Sequence, residues 1–311
     1  MKKTVVAIIG PTAVGKTKLS IRMAKRFDGE IISGDSMQIY KGMDIGTAKI
    51  KEEETEGIPH HMIDIKEPDE EFSVADFQVT VRSYIDEISR KGHLPIIVGG
   101  SGLYIQAALY NYQFSNEKRD ETLTKRLEEL IQVKGIMPLY DYLKKIDPEE
   151  AKKIHPNNHR RVIRAIEIYE TTGKTKSEYQ KDQKLESPYN VNLIGLEMDR
   201  EELYERINKR VDQMVEDGLI QEVESFYRKG YEQFQSMRGI GYKEFIPYLK
   251  GEESLEDSIR TLKRNSRRFA KRQFTWFKNK MEVNWYPITT ENHDEKFSMI
   301  LDDLAGFLKN K

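Results

Sequence analysis

The chain has 311 residues and a formal net charge of −1, with 51 basic and 52 acidic residues, so it has room for about two domains with a sizeable core. It contains no cysteine, which excludes disulfides, thiolate metal sites and a cysteine nucleophile. Charged residues make up 33% and no segment approaches the roughly 20 apolar residues of a membrane span, so we expect a soluble, cytoplasmic protein with no membrane partner.

The first predicted element is a buried strand, Val5–Ile9, which runs into the sequence Gly-Pro-Thr-Ala-Val-Gly-Lys-Thr. This sequence matches G-x-x-x-x-G-K-S/T, and an apolar period typical of a helix follows it through residues 19–27. In this setting backbone N–H groups and the helix N-terminus converge on an anion. An ordinary glycine-rich turn is the alternative. We expect a bound di- or triphosphate, with Mg²⁺ on Thr17, at a loop formed by Gly10, Pro11, Thr12, Ala13, Val14, Gly15, Lys16 and Thr17.

A second strand is predicted at Glu30–Ser33, and Asp35 follows it. In a parallel sheet, residues just past the carboxyl end of a strand line the same crevice as the phosphate loop. Asp35 is therefore a candidate general base or magnesium ligand; a turn or helix cap is the alternative.

Between this strand and the next, the pattern predicts a polar loop over the crevice at residues 40–49 and a helix at residues 73–91. Ser73 and Asp76 resemble a capping box at the start of that helix. His60 and His61 are adjacent and would point in different directions on any regular element, so a structural role is favoured over a metal pair.

The third predicted strand, Leu94–Val98, ends in Gly-Gly-Ser. A nucleotide hydrolase of this fold usually carries an aspartate there, which holds the magnesium water. The sequence also lacks an Asn-Lys-x-Asp guanine motif, so a GTP switch is not expected.

From residue 115 to residue 187 the pattern is purely helical. We therefore predict an α/β fold, a P-loop NTPase-like parallel sheet flanked by helices, formed by residues 1–114 and 188–311, with an all-helical insertion domain at 115–187. Three arginines crowd the longest helix of the insertion and form either a solvated face or a binding surface: Arg160, Arg161 and Arg164.

The core resumes with a strand at residues 191–196 and a helix at residues 200–217, on which Arg206 and Arg210 share a face. Nine basic and no acidic residues then occupy residues 260–280, interleaved with four aromatic residues. One long cationic helix of this kind is typical of a nucleic-acid surface, and a solvated basic face is the alternative. A strand at 283–286 and a helix at 297–308 complete the prediction.

Six blocks of this sequence, in family order from residue 10 to about residue 278, resemble the bacterial-type tRNA dimethylallyltransferases, also called isopentenyl-tRNA transferases. The most specific block runs from Gly34 to Lys49, whereas the phosphate loop alone would fit many NTPases. The other blocks are Gly10–Thr17, Gly99–Tyr104, His155–Asn157, Arg238–Tyr242 and Lys271–Phe277.

The resemblance implies transfer of a dimethylallyl group from dimethylallyl diphosphate to N6 of the adenosine immediately 3′ of the anticodon, in tRNAs that read codons beginning with U. The phosphate loop and Mg²⁺ would then hold the leaving diphosphate, and Asp35 would accept the proton of the attacking amine. Thr12 and Arg210 match family positions that contact the diphosphate, and Ser101 matches a tRNA contact that is often Thr. The catalytic set implied is Asp35, Thr12, Lys16, Arg210 and Ser101.

The same resemblance places a larger set of residues against tRNA, with the helical insertion gripping the anticodon stem-loop. We expect a monomer. Many relatives carry an arginine near Thr124, so this chain departs from the pattern there. The implied tRNA-binding set is Asp35, Ser36, Met37, Gln38, Ser101, Thr124, Arg160, Arg161, Arg164, Arg238, Gly239, Gly241, Tyr242, Arg267, Arg268, Lys271, Arg272, Gln273, Trp276 and Lys278.

Two other functions fit parts of the chain. A small-molecule kinase would use the phosphate loop, a crevice aspartate and a helical lid, but it leaves the cationic stretch 260–280 without a purpose. An RNA-binding ATPase would use that stretch, but the missing strand-end aspartate disfavours it.

Overall fold

The computed structural model describes residues 2–114, 120–181, 183 and 186–309. These residues form one six-stranded sheet in which every strand pairs in parallel with its neighbours, in the order β3-β2-β4-β1-β5-β6. The strands are β1 Thr4–Ile9, β2 Gly29–Ser33, β3 His60–His61, β4 Leu94–Gly99, β5 Asn190–Glu197 and β6 Asn284–Pro287.

Thirteen α-helices lie within the described ranges. They are α1 Lys16–Phe27, α2 Val74–Arg90, α3 Gly102–Leu109, α4 Glu121–Lys134, α5 Met137–Ile146, α6 Pro148–Lys153, α7 His159–Thr172, α8 Lys176–Lys181, α9 Arg200–Glu216, α10 Leu219–Arg228, α11 Ile246–Leu249, α12 Leu255–Lys280 and α13 His293–Lys309. None of them is both long and apolar enough to span a bilayer.

Contacts divide the chain into two units, Met1–Tyr110 with Ser187–Lys311 and Asn111–Glu186. In the first unit β1 is central, and its side chains alternate between two cores. Val5, Ala7 and Ile9 belong to a core that includes side chains of α2, α3 and α12, whereas Val6 and Ile8 belong to one that includes α1, α9 and α13. Because helices cover both faces, the strand is apolar and buried from Val5 to Ile9, as expected for a parallel sheet.

The second unit is built from α4 to α8 around its own apolar core. Leu143 and Val162 are completely buried in that core, on α5 and α7 respectively. The predicted insertion began at residue 115 and ended at residue 187, close to the bounds of this unit; residues 115–119 lie outside the described part of the chain.

The fold places three loops at one edge of the sheet. β2, β4 and β1 are neighbours, and because they are parallel, their carboxyl ends meet there. Residues 10–17 follow β1, residues 34–38 follow β2, and Gly100 and Ser101 follow β4. The backbone N–H of Gly34 donates to the carbonyl of Val98 at 2.8 Å, which joins the loop after β2 to the end of β4.

Candidate active site

The phosphate loop turns sharply between β1 and α1. Gly10 has φ 144° and Gly15, the N-cap of α1, has φ 105°, conformations that L side chains rarely adopt. A Cβ on Gly10 would also lie 2.5 Å from the carbonyl oxygen of Leu196 on β5. Both glycines of the motif are therefore required by the backbone itself.

Lys16 turns back over this loop. Its Nζ donates to the carbonyl oxygens of Gly10 at 3.0 Å and Pro11 at 2.7 Å. Burial and then the positive charge of Arg210 lower the pKa of Lys16 to about 7, while Asp35 opposes them. Burial and a neighbouring cation thus disfavour the charged form of Lys16, and an anion bound at the loop would favour that form.

Asp35 lies in the loop that follows β2. The backbone N–H of Met37 donates to its Oδ1 at 2.8 Å, and the N–H of Asp35 donates to Ser33 Oγ at 3.3 Å. Protein atoms enclose the carboxyl group, and this burial raises its pKa although Lys16 and Arg210 act in the opposite direction. Part of the residue remains accessible. A fixed, accessible carboxylate with a raised pKa is well suited to accept a proton.

Arg210 on α9 and Tyr104 on α3 complete the surroundings of Asp35. Burial lowers the pKa of Arg210, and the negative charge of Asp35 partly offsets this. Burial and then the charge of Asp35 raise the pKa of Tyr104, whose ring packs edge-on against Phe77 with centroids 5.0 Å apart. Tyr104 is the last residue of the Gly99–Tyr104 block, but nothing in the sequence indicates that it lies near Asp35.

Ser101 and Gln38 support the loop that carries Asp35. The N–H of Ser36 donates to Ser101 Oγ at 3.3 Å. Gln38 Oε1 accepts from Ser33 Oγ at 2.8 Å, and its Nε2 donates to the carbonyls of Thr47 and Ala48 at 3.2 and 3.3 Å. The side chain of Gln38, expected to contact tRNA, thus holds together the two ends of its own loop.

Helix α12 packs against both the phosphate loop and the start of α3. Gln273 accepts the backbone N–H of Thr12 through Oε1 at 2.9 Å, across 261 positions of sequence. The ring of Trp276 lies on Gly102, where a Cβ would come within 2.2 Å of it. The phosphate loop and the cationic helix therefore share one edge of the sheet.

The charges of α12 divide into paired and unpaired groups. Arg260 pairs with Asp257, Lys263 with Asp212 at 2.5 Å, and Lys278 with Glu197 at 3.0 Å, so acidic partners come from outside the stretch that lacks them. Exposed cations for which the described residues provide no ion pair are Arg264, Arg268, Lys271, Arg272 and Lys280.

Arg267 is oriented differently from its neighbours on α12. It donates to Asn208 Oδ1 at 2.5 Å, and its guanidinium lies 6.0 Å from the ring centroid of Tyr204 on α9. It was expected to contact tRNA, and here it joins α12 to α9.

The turn at residues 238–242 packs on the loop of Asp35. A Cβ on Gly239 would lie 2.7 Å from Cε of Met37, and Tyr242 is completely buried. Arg238 at the start of this turn is exposed, and Gly241 has φ 101°.

The remaining expected tRNA contacts lie in the helical unit. Thr124 is buried, and its hydroxyl donates to the carbonyl of Asp120 at 3.0 Å and to Glu167. Arg164 also pairs with Glu167, at 3.3 Å. Arg160 and Arg161 are exposed in the first turn of α7.

Thr17 is the residue suited to hold Mg²⁺. It is exposed at the second position of α1, beside Lys16, and its hydroxyl is an oxygen ligand of the kind that Mg²⁺ prefers. The described residues contain no group of three or more His, Cys, Asp or Glu that could form a separate metal cage. Mg²⁺ usually takes one or two protein ligands and completes its shell with waters and substrate phosphates, so this loop fits it.

A sequence model of the family described as IPP transferase matches residues 38–280, more than half of the chain. The chain belongs to the IPP transferase family. This IPP transferase is 60% identical over 311 residues to a protein of Oceanobacillus iheyensis named tRNA dimethylallyltransferase, with 100% of this chain and 99% of the relative covered.

Solved structures of the family are also similar. The full-length tRNA isopentenylpyrophosphate transferase of Bacillus halodurans is 52% identical, with a TM-score of 0.76 and 100% and 98% of the two chains covered. A eukaryotic dimethylallyltransferase acting on tRNA is 34% identical, with a TM-score of 0.85, and the match covers 99% of this IPP transferase and 80% of that chain. The P-loop-type parallel sheet predicted from sequence is confirmed.

Proposed function

We propose that this enzyme transfers the dimethylallyl group of dimethylallyl diphosphate to N6 of the adenosine immediately 3′ of the anticodon, in tRNAs that read codons beginning with U. The family and the names of its relatives support the prenyl transfer and the tRNA substrate. The observation that carries the proposal is the hydrogen bond from Thr12 N–H to Gln273 Oε1, because it brings the anion-binding loop and the cationic helix to one edge of the sheet.

The reaction is one displacement. The N6 lone pair attacks the first carbon of the dimethylallyl group, the bond from that carbon to the diphosphate oxygen breaks, and its electron pair leaves on the diphosphate. The N6 proton passes to the Asp35 carboxylate, which the Met37 N–H holds in place. No water attacks, which agrees with the Gly-Gly-Ser end of β4.

The negative charge that develops on the diphosphate lies where the chain concentrates positive charge. Lys16, Arg210 and the N–H groups of residues 13–17 would stabilise it, with the Thr12 hydroxyl as a further donor. Thr17 would hold Mg²⁺, which when bound neutralises charge on the leaving diphosphate.

Recognition of tRNA would use the exposed cations of α12 for phosphates, and the loop 35–38 and residues 238–240 of the turn for bases, since Tyr242 is completely buried. The exposed Arg160 and Arg161 of the helical unit would bind the anticodon stem-loop. The target adenosine must leave its stack to reach Asp35, at a cost of roughly a few kcal/mol that is lowest for an unpaired loop nucleotide. We place the enzyme in the cytoplasm as a monomer.

One assay separates this function from a small-molecule kinase or an RNA-binding ATPase. Unmodified tRNA is incubated with the enzyme and Mg²⁺ plus either dimethylallyl diphosphate or ATP, and the mass of the tRNA is measured. The proposal predicts a gain of one dimethylallyl group per tRNA with the first donor and no change with the second. An unchanged tRNA in both arms, with ATP consumed, would refute it.

A further inference from the structure

Glu222, in the first turn of α10, receives four hydrogen bonds from two separate segments. Its Oε2 accepts the backbone N–H of Asp44 at 3.0 Å and of Ile45 at 2.8 Å. Its Oε1 accepts the N–H of Gly46 at 3.0 Å and the hydroxyl of Tyr242 at 2.6 Å. One carboxylate thus joins the far end of the Asp35 loop to the turn 238–242.

The two segments also pack closely where Glu222 joins them. The ring of Tyr242 covers Gly46 so tightly that a Cβ there would lie 2.6 Å from two of its carbons. A Cβ on Gly241 would lie 2.9 Å from the carbonyl oxygen of Gly46. Burial and the neighbouring carboxylate raise the pKa of Tyr242, so its hydroxyl remains a donor to Glu222.

The turn that Glu222 holds is also connected, through Met37, to the proposed catalytic carboxylate of Asp35. The turn that holds Tyr242 packs through Gly239 on the side chain of Met37. The N–H of the same Met37 donates to Asp35 Oδ1 at 2.8 Å. A shift of the turn would therefore be transmitted to the residue that orients Asp35.

We propose that Glu222 is a positioning residue that fixes the loop 35–47 and the turn 238–242 as a single surface for the acceptor tRNA. This inference rests on the proposed function, because both segments contain residues of the tRNA-binding set. The diphosphate site does not depend on it, since the described contacts of Glu222 include none with residues 10–17.

The test is the isosteric change Glu222→Gln in the full chain. The amide keeps the shape but replaces one acceptor oxygen with an NH₂ group, which would face at least one backbone N–H and leave it unpaired. Glu224→Gln is the matched control, since Glu224 lies on the same helix but pairs with the exposed Arg228 at 2.7 Å.

The expected result is weaker use of tRNA with no change in diphosphate binding. Glu222→Gln should raise KM for tRNA about tenfold, as for a lost hydrogen bond to a charged group, and leave the affinity for inorganic diphosphate unchanged by calorimetry. Tyr242→Phe, which keeps the ring on Gly46 and removes one donor, should raise KM for tRNA by a smaller factor. In the double variant the two effects should not add. Glu224→Gln should behave as wild type.

The possible outcomes distinguish a failure of this inference from a failure of the proposed function. A wild-type enzyme that adds no dimethylallyl group to tRNA would remove the proposed function. An active wild type, with KM for tRNA unchanged in both Glu222→Gln and Tyr242→Phe, would overturn the inference alone. Equal losses in tRNA and diphosphate affinity would also overturn it, because they would indicate general destabilisation. If Glu222→Gln does not fold, Tyr242→Phe decides.

Discussion

The contact between Trp276 and Gly102 leads to a prediction about glycine-to-alanine changes. The change at Gly102 should lower the free energy of unfolding, whereas the same change at an open helix position should raise it. A Cβ on Gly102 would lie 2.2, 2.5 and 2.7 Å from three carbons of the indole ring. Restoring an ordinary contact of 3.4 Å requires the ring to move by about 1.2 Å. The ring also packs on Phe277, its fully buried neighbour on α12, with centroids 5.3 Å apart, so a shift of the ring would disturb α12.

Gly102→Ala should therefore lower the free energy of unfolding by about 1–3 kcal/mol, the usual cost of overpacking. Gly306→Ala, at an exposed position inside α13 with no atom near the added Cβ, should instead raise it by about 0.5–1 kcal/mol. Urea denaturation measures both values. The displaced helix should also raise KM for tRNA in the first variant only.

A double-mutant cycle assigns the cost to this contact. Trp276→Leu removes the ring that the added methyl group meets, so in its background Gly102→Ala should cost less than in wild type. Equal costs in the two backgrounds, or a Gly102→Ala variant as stable as Gly306→Ala, would show that α12 does not lie on the start of α3.

Three further predictions concern chemistry and charge. Asp35→Asn should reduce the single-turnover rate roughly 10²–10⁴-fold, because it removes the general base. It should not lower Tm, because it also removes a buried charge. A rate within a few-fold of wild type would exclude Asp35 as a general base. The reaction needs ionised Asp35 and burial raises its pKa, so the rate should fall as pH drops through a value above the ordinary 3.8; an acid limb at or below 3.8 would contradict this. The double variant Arg268→Gln, Lys271→Gln should reduce the slope of log affinity for tRNA against log salt by about 1–2. Arg260→Gln should not change the slope, because Arg260 pairs with Asp257. A slope in the double variant equal to that of wild type would show that this face does not bind tRNA.

Local sequence signals were sufficient to predict most elements of the fold. The capping box of Ser73 and Asp76 begins α2 as expected. Helix α12 begins at Leu255, five residues before the predicted cationic stretch, because Ser254 caps it and the acidic Glu256 and Asp257 form its first turn. Strand β3 was not predicted, since a two-residue strand has no periodicity; it exists because Ile31 pairs with His60.

The site was harder to predict, because its contacts are not local. Nothing near Gln273 in sequence indicates that it accepts a hydrogen bond from Thr12. The number of basic residues in a helix does not show which of them face the protein. Arg267 donates to Asn208 whereas Arg268 is exposed, and this difference depends on which face of α12 packs on α9. No local sequence pattern predicts the role of Glu222, because its four hydrogen-bond donors lie in segments about 20 and about 180 positions away.

The stoichiometry of a single turnover tests the central claim most directly. Enzyme in excess over tRNA is mixed with dimethylallyl diphosphate, and released diphosphate is counted against dimethylallyl groups located by mass on nuclease fragments of the tRNA. We predict one diphosphate per group, with every group on the adenosine 3′ of the anticodon, and formation of both products roughly 10²–10⁴-fold more slowly in Asp35→Asn. Diphosphate released without a modified adenosine, or a group placed elsewhere, would contradict a site in which the phosphate loop, Asp35 and α12 act together.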